Sequence, residues 1–265
     1  MVNRYRVASV VALVVGFLLS TYGEARIDPD SIVGIWLFDD DGGNEALDSS
    51  KNERHGEING NPSQIEGVFG EAIEFPGAGE TVEFVGFGLD FPTDEITIVT
   101  WARVDEVKDQ DLCSMVPLDP DRIVFHMPWG QGVTWAFGGA GFSTTFPFDD
   151  AWVGEWKHWA VFSKFREARE DKISGIYLDG EELRFIKRLA GQWVPRDSSF
   201  HIGGRPGSSF AGAIDEFAIF NTVLSQEDIQ RIKNQGLERA ALNRAVDPRG
   251  KIATAWASVK ELNEM

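Results

Sequence analysis

The chain of 265 residues carries 42 acidic and 25 basic side chains, which gives a formal net charge of −17 at pH 7. This balance excludes the clustered basic surface that nucleic-acid binding and adhesion to anionic lipid require. With 43% hydrophobic residues the chain can bury a large core, and its single cysteine, Cys113, cannot form an intrachain disulfide. We therefore expect packing, and not disulfides, to stabilise the fold.

The first 25 residues have the three-part layout of a secretory signal peptide. Arg4 and Arg6 precede an apolar run at positions 7–19, and small residues lead up to Ala25. Such a run covers about 20 Å as a helix, less than the ~30 Å hydrocarbon core of a bilayer. We predict a signal peptide over residues 1–25, a secreted, periplasmic or cell-surface location, and no membrane insertion after cleavage. A retained membrane anchor is the alternative.

Short β-type segments, separated by Gly, Asp, Asn and Pro, recur along the next two hundred residues. The predicted strands are residues 33–38, 72–75, 81–85, 96–104, 122–126, 133–137, 157–162, 173–178, 200–202 and 214–220. Because no helical pattern separates them, they predict a sandwich or barrel. Asp179 and Gly180 predict a tight hairpin. Many segments are apolar at both alternating sets of positions, as expected where one sheet is covered on both faces or curves around a core.

One short C-terminal helix follows the strands. Ser225 is a good N-cap, Asp228 lies at the third helical position, and Gly236 supplies a C-terminal stop. We predict a β-sandwich domain over residues 26–236 and a C-terminal tail over residues 237–265.

Seven short segments then match, in order, a family of known fold. They are VGIWLFDD at 33–40, DSSKN with HG at 48–56, GEAIEF at 70–75, WKHWAV at 156–161, YLDG at 177–180, HIGG at 201–204, and FAGAIDEFAIFN with Leu224 and Ser225 at 210–225. In these segments the chain resembles laminin G-like members of the concanavalin A-like lectin/glucanase superfamily. The resemblance implies an all-β jelly-roll sandwich of two antiparallel sheets that binds glycans, proteins or matrix.

The carboxylates do not predict catalysis. Glucanases of this fold place their acid and nucleophile on one face of one strand, as in an E-x-D-x-E pattern. The chain has no such pattern, no H-E-x-x-H and no G-x-S-x-G. We predict no catalytic residue, with a glycoside hydrolase-like enzyme as the least favoured alternative.

A Ca²⁺ site is implied by the resemblance, because in this superfamily the ion often bridges the opening and closing strands. Asp39 and Asp40 end the opening strand, and Asp215 lies among apolar residues of the closing one. Ca²⁺ prefers carboxylate and carbonyl oxygens, so these three residues are the predicted ligands. The alternative is that Asp215 accepts backbone N–H bonds and the first two lie in a solvated turn.

Three tryptophans in loops are the candidate ligand-binding residues. Trp129, Trp152 and Trp193 lie in polar or glycine-rich segments, where an exposed ring can stack on the C–H face of a sugar. The alternative is that they cap the ends of the sandwich. We expect a secreted, non-catalytic module that binds a glycan or an extracellular protein; a structural or adhesive protein-interaction domain is the alternative to carbohydrate binding.

Overall fold

The computed structural model describes residues 27–40, 43–118, 122–138, 143–164, 173–187 and 194–242. These residues form two antiparallel eight-stranded sheets packed face to face, with one additional two-stranded hairpin. The strands are β1 (Ile32–Trp36), β2 (Glu45–Ala46), β3 (Gly56–Asn59), β4 (Ser63–Glu66), β5 (Glu71–Pro76), β6 (Thr81–Phe84), β7 (Glu95–Val104), β8 (Asp111–Val116), β9 (Ile123–Trp129), β10 (Gly132–Phe137), β11 (Ser143–Pro147), β12 (Trp156–Lys164), β13 (Ile173–Leu178), β14 (Glu181–Lys187), β15 (Ser199–Ile202), β16 (Gly204–Arg205), β17 (Ser208–Ser209) and β18 (Ala211–Phe220). The helices are α1 (Gln226–Gln235) and α2 (Leu237–Ala240).

One sheet, which we call the helix-side sheet, has the strand order β14-β13-β12-β7-β18-β5-β4, with β1 also paired to β18. Its inner face contributes Ile98, Trp159 and Phe217 to the main core. Its outer face is also apolar and packs against Ile229 and Ile232 of α1. The prediction that one sheet is covered on both faces is confirmed.

The second sheet, which we call the open-side sheet, has the order β11-β10-β9-β8-β15-β6-β3-β2. Its inner face is apolar, with Phe125, Trp135 and Phe200 in the main core. Along the same strands the alternate, outward positions carry polar residues such as His126 and Thr134 together with the apolar Val124, and His126 and Val124 are buried. The two sheets therefore differ: one packs an apolar outer face against α1, and the other carries several polar side chains on its outer face.

Most predicted elements are confirmed, and the segments that were missed lack a strong apolar alternation. All ten predicted strands overlap observed ones, while β4 is an edge strand with exposed side chains and β8 mixes polar and apolar residues at both sets of positions. Asp179 and Gly180 form the hairpin turn, both with positive φ. Helix α1 begins as predicted, with the N–H of Asp228 donating to Oγ of Ser225 at 3.1 Å.

The chain continues past the predicted domain boundary as part of the same packed unit. Leu237 and Ala240 of α2 are buried against the outer face of the helix-side sheet. The boundary at residue 236 stays a prediction, and residues 1–25 and 243–265 lie outside the described part. Where the structure describes the chain, none of its helices has the length and apolar character needed to cross a membrane.

Candidate functional site

An acidic junction forms where two strands meet end to end along β18. Strand β1 pairs with residues 217–220 of β18, and β5 pairs with residues 211–214. Asp215 and Glu216 lie in the gap between them, at a bulge in the pairing with β7. The segment after β1 therefore meets the loop before β5 at this point. We call Asp39, Asp215 and Glu216 the acidic junction.

Asp215 is fully buried and is held by the loop before β5. Its Oδ2 accepts the N–H groups of Val68 (2.7 Å) and Phe69 (2.9 Å), while Oδ1 is buried without a partner. A Cβ at Gly67 would lie 2.6 Å from Oδ2, which explains a glycine at this close approach. Burial, only partly offset by these bonds, raises the pKa of Asp215 to about 7.

Glu216 is a buried carboxyl that the sequence analysis missed. Its backbone has a φ of 50°, and the bulge brings its side chain into the same junction as Asp215. Oε1 accepts the N–H of Leu237 at 2.8 Å, whereas Oε2 is buried without a partner. Burial first, and the neighbouring Asp215 second, raise the pKa of Glu216 to about 9. The strict alternation of a regular strand would have placed the two acids on opposite faces.

The two predicted ligands after β1 separate. Asp39 joins the junction, with Oδ1 accepting the N–H of Glu71 at 2.7 Å, and burial raises its pKa. Asp40 turns away, since its Oδ2 accepts the N–H of Leu47 at 3.1 Å.

The carboxyl groups of the junction have the chemistry of cation ligands, but their present positions do not form a complete ligand set. Two buried oxygens lack partners, and no described Lys or Arg forms an ion pair with any of the three acids. The described residues nevertheless include no set of three His, Cys, Asp or Glu side chains arranged to hold a metal ion. A hard cation there would use Asp39 and Asp215, with other oxygens completing its shell.

A second candidate site lies on the outward face of the open-side sheet. Trp129, the last residue of β9, is 42% exposed, and its ring centroid lies 4.6 Å from that of His126 at an interplanar angle of 40°. It pairs across the sheet with Gly132, which has no side chain to cover the ring. One face of the Trp129 ring therefore packs against His126, and the ring remains partly exposed to solvent.

A charged pair underlies that aromatic stack. Asp111 is fully buried, and its Oδ1 lies 2.5 Å from Nδ1 of His126, within hydrogen-bond distance. Nε of Arg205 lies 2.6 Å from Oδ2 of the same carboxylate. We call Trp129, His126, Asp111 and Arg205 the Trp129 face. Sequence reasoning missed Asp111 and Arg205, since they lie far apart in the chain and no local pattern joins them.

The other candidate tryptophans lie elsewhere. Trp152 is half-buried, with its ring 5.6 Å from Trp159 and 5.4 Å from Phe148, so it closes one end of the core. Trp193 lies outside the described residues. His158, a strand histidine, is buried with neither ring nitrogen bonded, and burial lowers its pKa to about 3, which keeps it neutral.

A cavity of about 230 Å³ opens at the edge formed by β2, β3 and β4. Phe38 and Ile73 form part of its apolar floor, and Asn44, Asn61 and Gln64 line its rim. The Nε2 of Gln64 already donates hydrogen bonds to the carbonyl oxygens of Phe38 and Asp40. The cavity has no exposed aromatic ring in its lining, unlike the Trp129 face.

Comparison with solved structures shows the same fold at low sequence identity. Domain 4 of AbnA, a GH43 extracellular arabinanase from Geobacillus stearothermophilus, solved with arabinotriose, matches 77% of this chain and 98% of its own (17% identity, TM-score 0.60). The receptor-binding domain of botulinum neurotoxin mosaic serotype C/D matches 80% of this chain (12% identity, TM-score 0.63), and Trypanosoma rangeli sialidase matches 76% (15% identity, TM-score 0.55). The chain spans 52% of the neurotoxin domain and 32% of the sialidase. No curated protein matches its sequence.

The family model Laminin_G_3 matches residues 76–230, which include most strands of both sheets. Its description agrees with the two packed antiparallel sheets and with the fold of the solved structures above. The chain therefore belongs to the concanavalin A-like lectin/glucanases superfamily.

Proposed function

We propose that this protein is a secreted, non-catalytic binding module for carbohydrate, and that the Trp129 face is its binding site. The observation that carries the proposal is an exposed, supported Trp ring directly beside buried charged groups. Sugar rings offer an apolar C–H face to an aromatic ring and hydroxyls to polar side chains, so such a pairing suits them.

The structural neighbours support this class of ligand without identifying it. The arabinanase domain was solved with arabinotriose, and botulinum neurotoxin type C is described as depending on two ganglioside molecules for cell entry. These ligands belong to those proteins, and the shared fold alone does not carry a site across.

Replacing Trp129 by alanine is expected to weaken glycan binding about tenfold or more, because the stacking surface is lost. The melting temperature should change little, since the ring lies at the surface. Trp156→Ala is the matched control: that ring packs near the guanidinium of Arg103 on the helix-side sheet and should leave affinity unchanged. Isothermal titration with a glycan identified on an array would measure both variants. Equal affinity of wild type and Trp129→Ala would remove the face from the proposal.

A protein-interaction role is the second candidate, favoured by an exposed apolar tip. Val85, Leu89 and Val194 are all exposed, and the N–H of Arg196 donates to Gly88 O at 3.4 Å, which brings the two loops together. This alternative predicts silence on glycan arrays.

We propose that the protein has no hydrolytic activity, since neither candidate site pairs two exposed carboxyls across a cleft. Incubation with β-glucans and related polymers should release no reducing sugar above background. Product release that disappears on replacement of a single carboxylate would overturn this expectation.

Secretion is proposed from the N-terminal sequence alone. N-terminal sequencing of exported protein should find a start near Arg26. Soluble extracellular protein that still begins with Met1 would contradict a cleaved signal peptide.

We also propose that Ca²⁺ binds the acidic junction through Asp39 and Asp215. The support is the pair of unpartnered buried oxygens and the raised pKa values of all three acids there. A bound cation would favour the ionised forms and hold the ends of β1 and β5 to β18.

A further inference from the structure

We propose that the Trp129 face is built for a neutral, hydroxyl-rich sugar ring, and that Asp111 is its positioning residue. In this arrangement Trp129, His126 and Arg205 contact the sugar, while Asp111 acts through the last two. The inference rests on the proposed function and adds the class of glycan and the role of each side chain.

Asp111 determines which nitrogen of His126 carries the proton. An ionised carboxylate only accepts hydrogen bonds, and Asp111 is paired with Arg205, so Nδ1 of His126 must be the donor in their 2.5 Å contact. In the neutral imidazole, Nε2 is then an acceptor. Nε2 makes no hydrogen bond within the described part of the chain, and the side chain is 7% exposed, so we infer that a ligand hydroxyl meets Nε2 at this small exposed edge.

Arg205 is held by the same carboxylate but keeps donors free. Its Nε lies 2.6 Å from Oδ2 of Asp111 as an ion pair, although neither atom has hydrogen-bond geometry, and its two terminal nitrogens make no hydrogen bond to a described residue. The side chain is 21% exposed and comes from the β16–β17 hairpin, which folds back toward β8 after Gly203 and Gly204, both with positive φ. A planar fork of donors beside one acceptor suits neighbouring hydroxyls of a sugar, which both donate and accept.

The strand register extends this polar surface. Asp111, His126, Thr134 and Thr145 pair in sequence across β8, β9, β10 and β11, so their side chains form one outward row. The hydroxyls of Thr134 and Thr145 lie 3.1 Å apart and are exposed. The stack of Trp129 on His126 places an aromatic ring beside this row, as a sugar with one apolar face requires.

The charges indicate a neutral ligand. The positive charge of Arg205 is compensated by Asp111, and the neighbouring Asp109 accepts the N–H of Gly130 at 2.5 Å beside Trp129. With a net charge of −17, the protein would also repel polyanions at a distance. The Trp129 face therefore offers no unpaired positive charge to the carboxylate of a uronate or to a sulfate group.

The test uses the mature protein, an array of neutral and acidic oligosaccharides, and a uronate polymer compared with its carboxyl-reduced form. We expect binding among the neutral probes and for the reduced polymer in preference to the charged one. Arg205→Lys, which keeps the charge and loses the fork, and Asp111→Asn should each weaken binding roughly tenfold or more. Asp105→Asn, at an exposed acid paired with Arg103, is the control and should bind as wild type.

A positioning role has a signature that a purely structural role lacks. The ¹⁵N shifts of His126 should show the proton on Nδ1 in the wild type and a loss of that preference in Asp111→Asn. Preference for the acidic probes, or unchanged affinity in folded Arg205→Lys, would overturn the inference and leave glycan binding standing. Unaltered ¹⁵N shifts in Asp111→Asn would remove the positioning role. Silence of every glycan would overturn the proposed function itself.

Discussion

Raising the pH from 5 to 9 without divalent cations is expected to lower the melting temperature by about 20 °C. The cause is the acidic junction, where burial raises the pKa of Asp215 to about 7 and that of Glu216 to about 9. Both values lie above those of the unfolded chain, so between roughly pH 4 and pH 9 the folded state holds more protons. Stability is therefore fully present at the acidic end and is lost as the pH rises through the folded values.

The magnitude follows from proton linkage. One group titrating differently in the two states changes the free energy of unfolding by about 1.4 kcal/mol per pH unit. From pH 5 to 9 this holds over about two units for Asp215 and about four units for Glu216, which together amount to roughly 8 kcal/mol, or about 20 °C for a domain of this size. Glu216→Gln should flatten the dependence, because the amide stays neutral. Glu227→Gln, at an exposed acid on α1, is the control and should leave it intact.

Ca²⁺ should oppose this loss if it binds the ionised junction. A hundredfold excess over Kd would stabilise the folded state by about 2.7 kcal/mol, and EDTA would then lower the melting temperature by about 5–10 °C. Asp215→Asn keeps an acceptor for the N–H groups of Val68 and Phe69 but should abolish the response to EDTA. A melting curve that ignores EDTA at pH 8, in protein with no metal by elemental analysis, would end the Ca²⁺ proposal.

Asp48→Ala is expected to lower the free energy of unfolding by about 3–5 kcal/mol. The buried carboxylate accepts the N–H groups of Ile35 (2.9 Å), Ser50 (2.8 Å) and Arg54 (2.9 Å), and also the hydroxyl of Ser50 (2.9 Å). Its removal would leave several donors without a partner where water has little access. One of these donors is the N–H of Ile35 in β1, so the loop would also lose its hydrogen bond to β1.

Urea denaturation would measure this effect. Asp90→Ala is the matched control, since that acid is exposed and makes one ion pair with Arg54, worth at most about 1 kcal/mol. A change below about 1 kcal/mol for Asp48→Ala would mean that water satisfies the freed donors. The same loop contains His55, whose Nδ1 accepts the N–H of Asp48 at 3.0 Å, so this histidine also serves to hold the loop.

The sequence alone determined the class of fold, most of the strands and the start of α1. These features depend on local chemistry: alternation of apolar residues gives strands, Asp179 and Gly180 tolerate positive φ, and the hydroxyl of Ser225 satisfies the N–H of Asp228. Local chemistry was also enough to mark Trp129 and Asp215 as unusual, because a large ring beside glycines and an acid in an apolar strand each differ from the residues around them.

Only the tertiary structure decided which of these residues act together. Glu216 reaches the acidic junction because a bulge interrupts the alternation of β18, and the residues around Glu216 in the sequence do not predict that bulge. Asp111 meets Arg205 because a hairpin more than ninety residues later folds back toward β8, so no spacing in the chain could pair them. Trp152 closes one end of the core because it packs against the rings of Trp159 and Phe148. Trp129 is exposed because its partner on the neighbouring strand is Gly132, which has no side chain. Side-chain partners that are distant in sequence are brought together by strand pairing and loop geometry, and these depend on the packing of the whole domain.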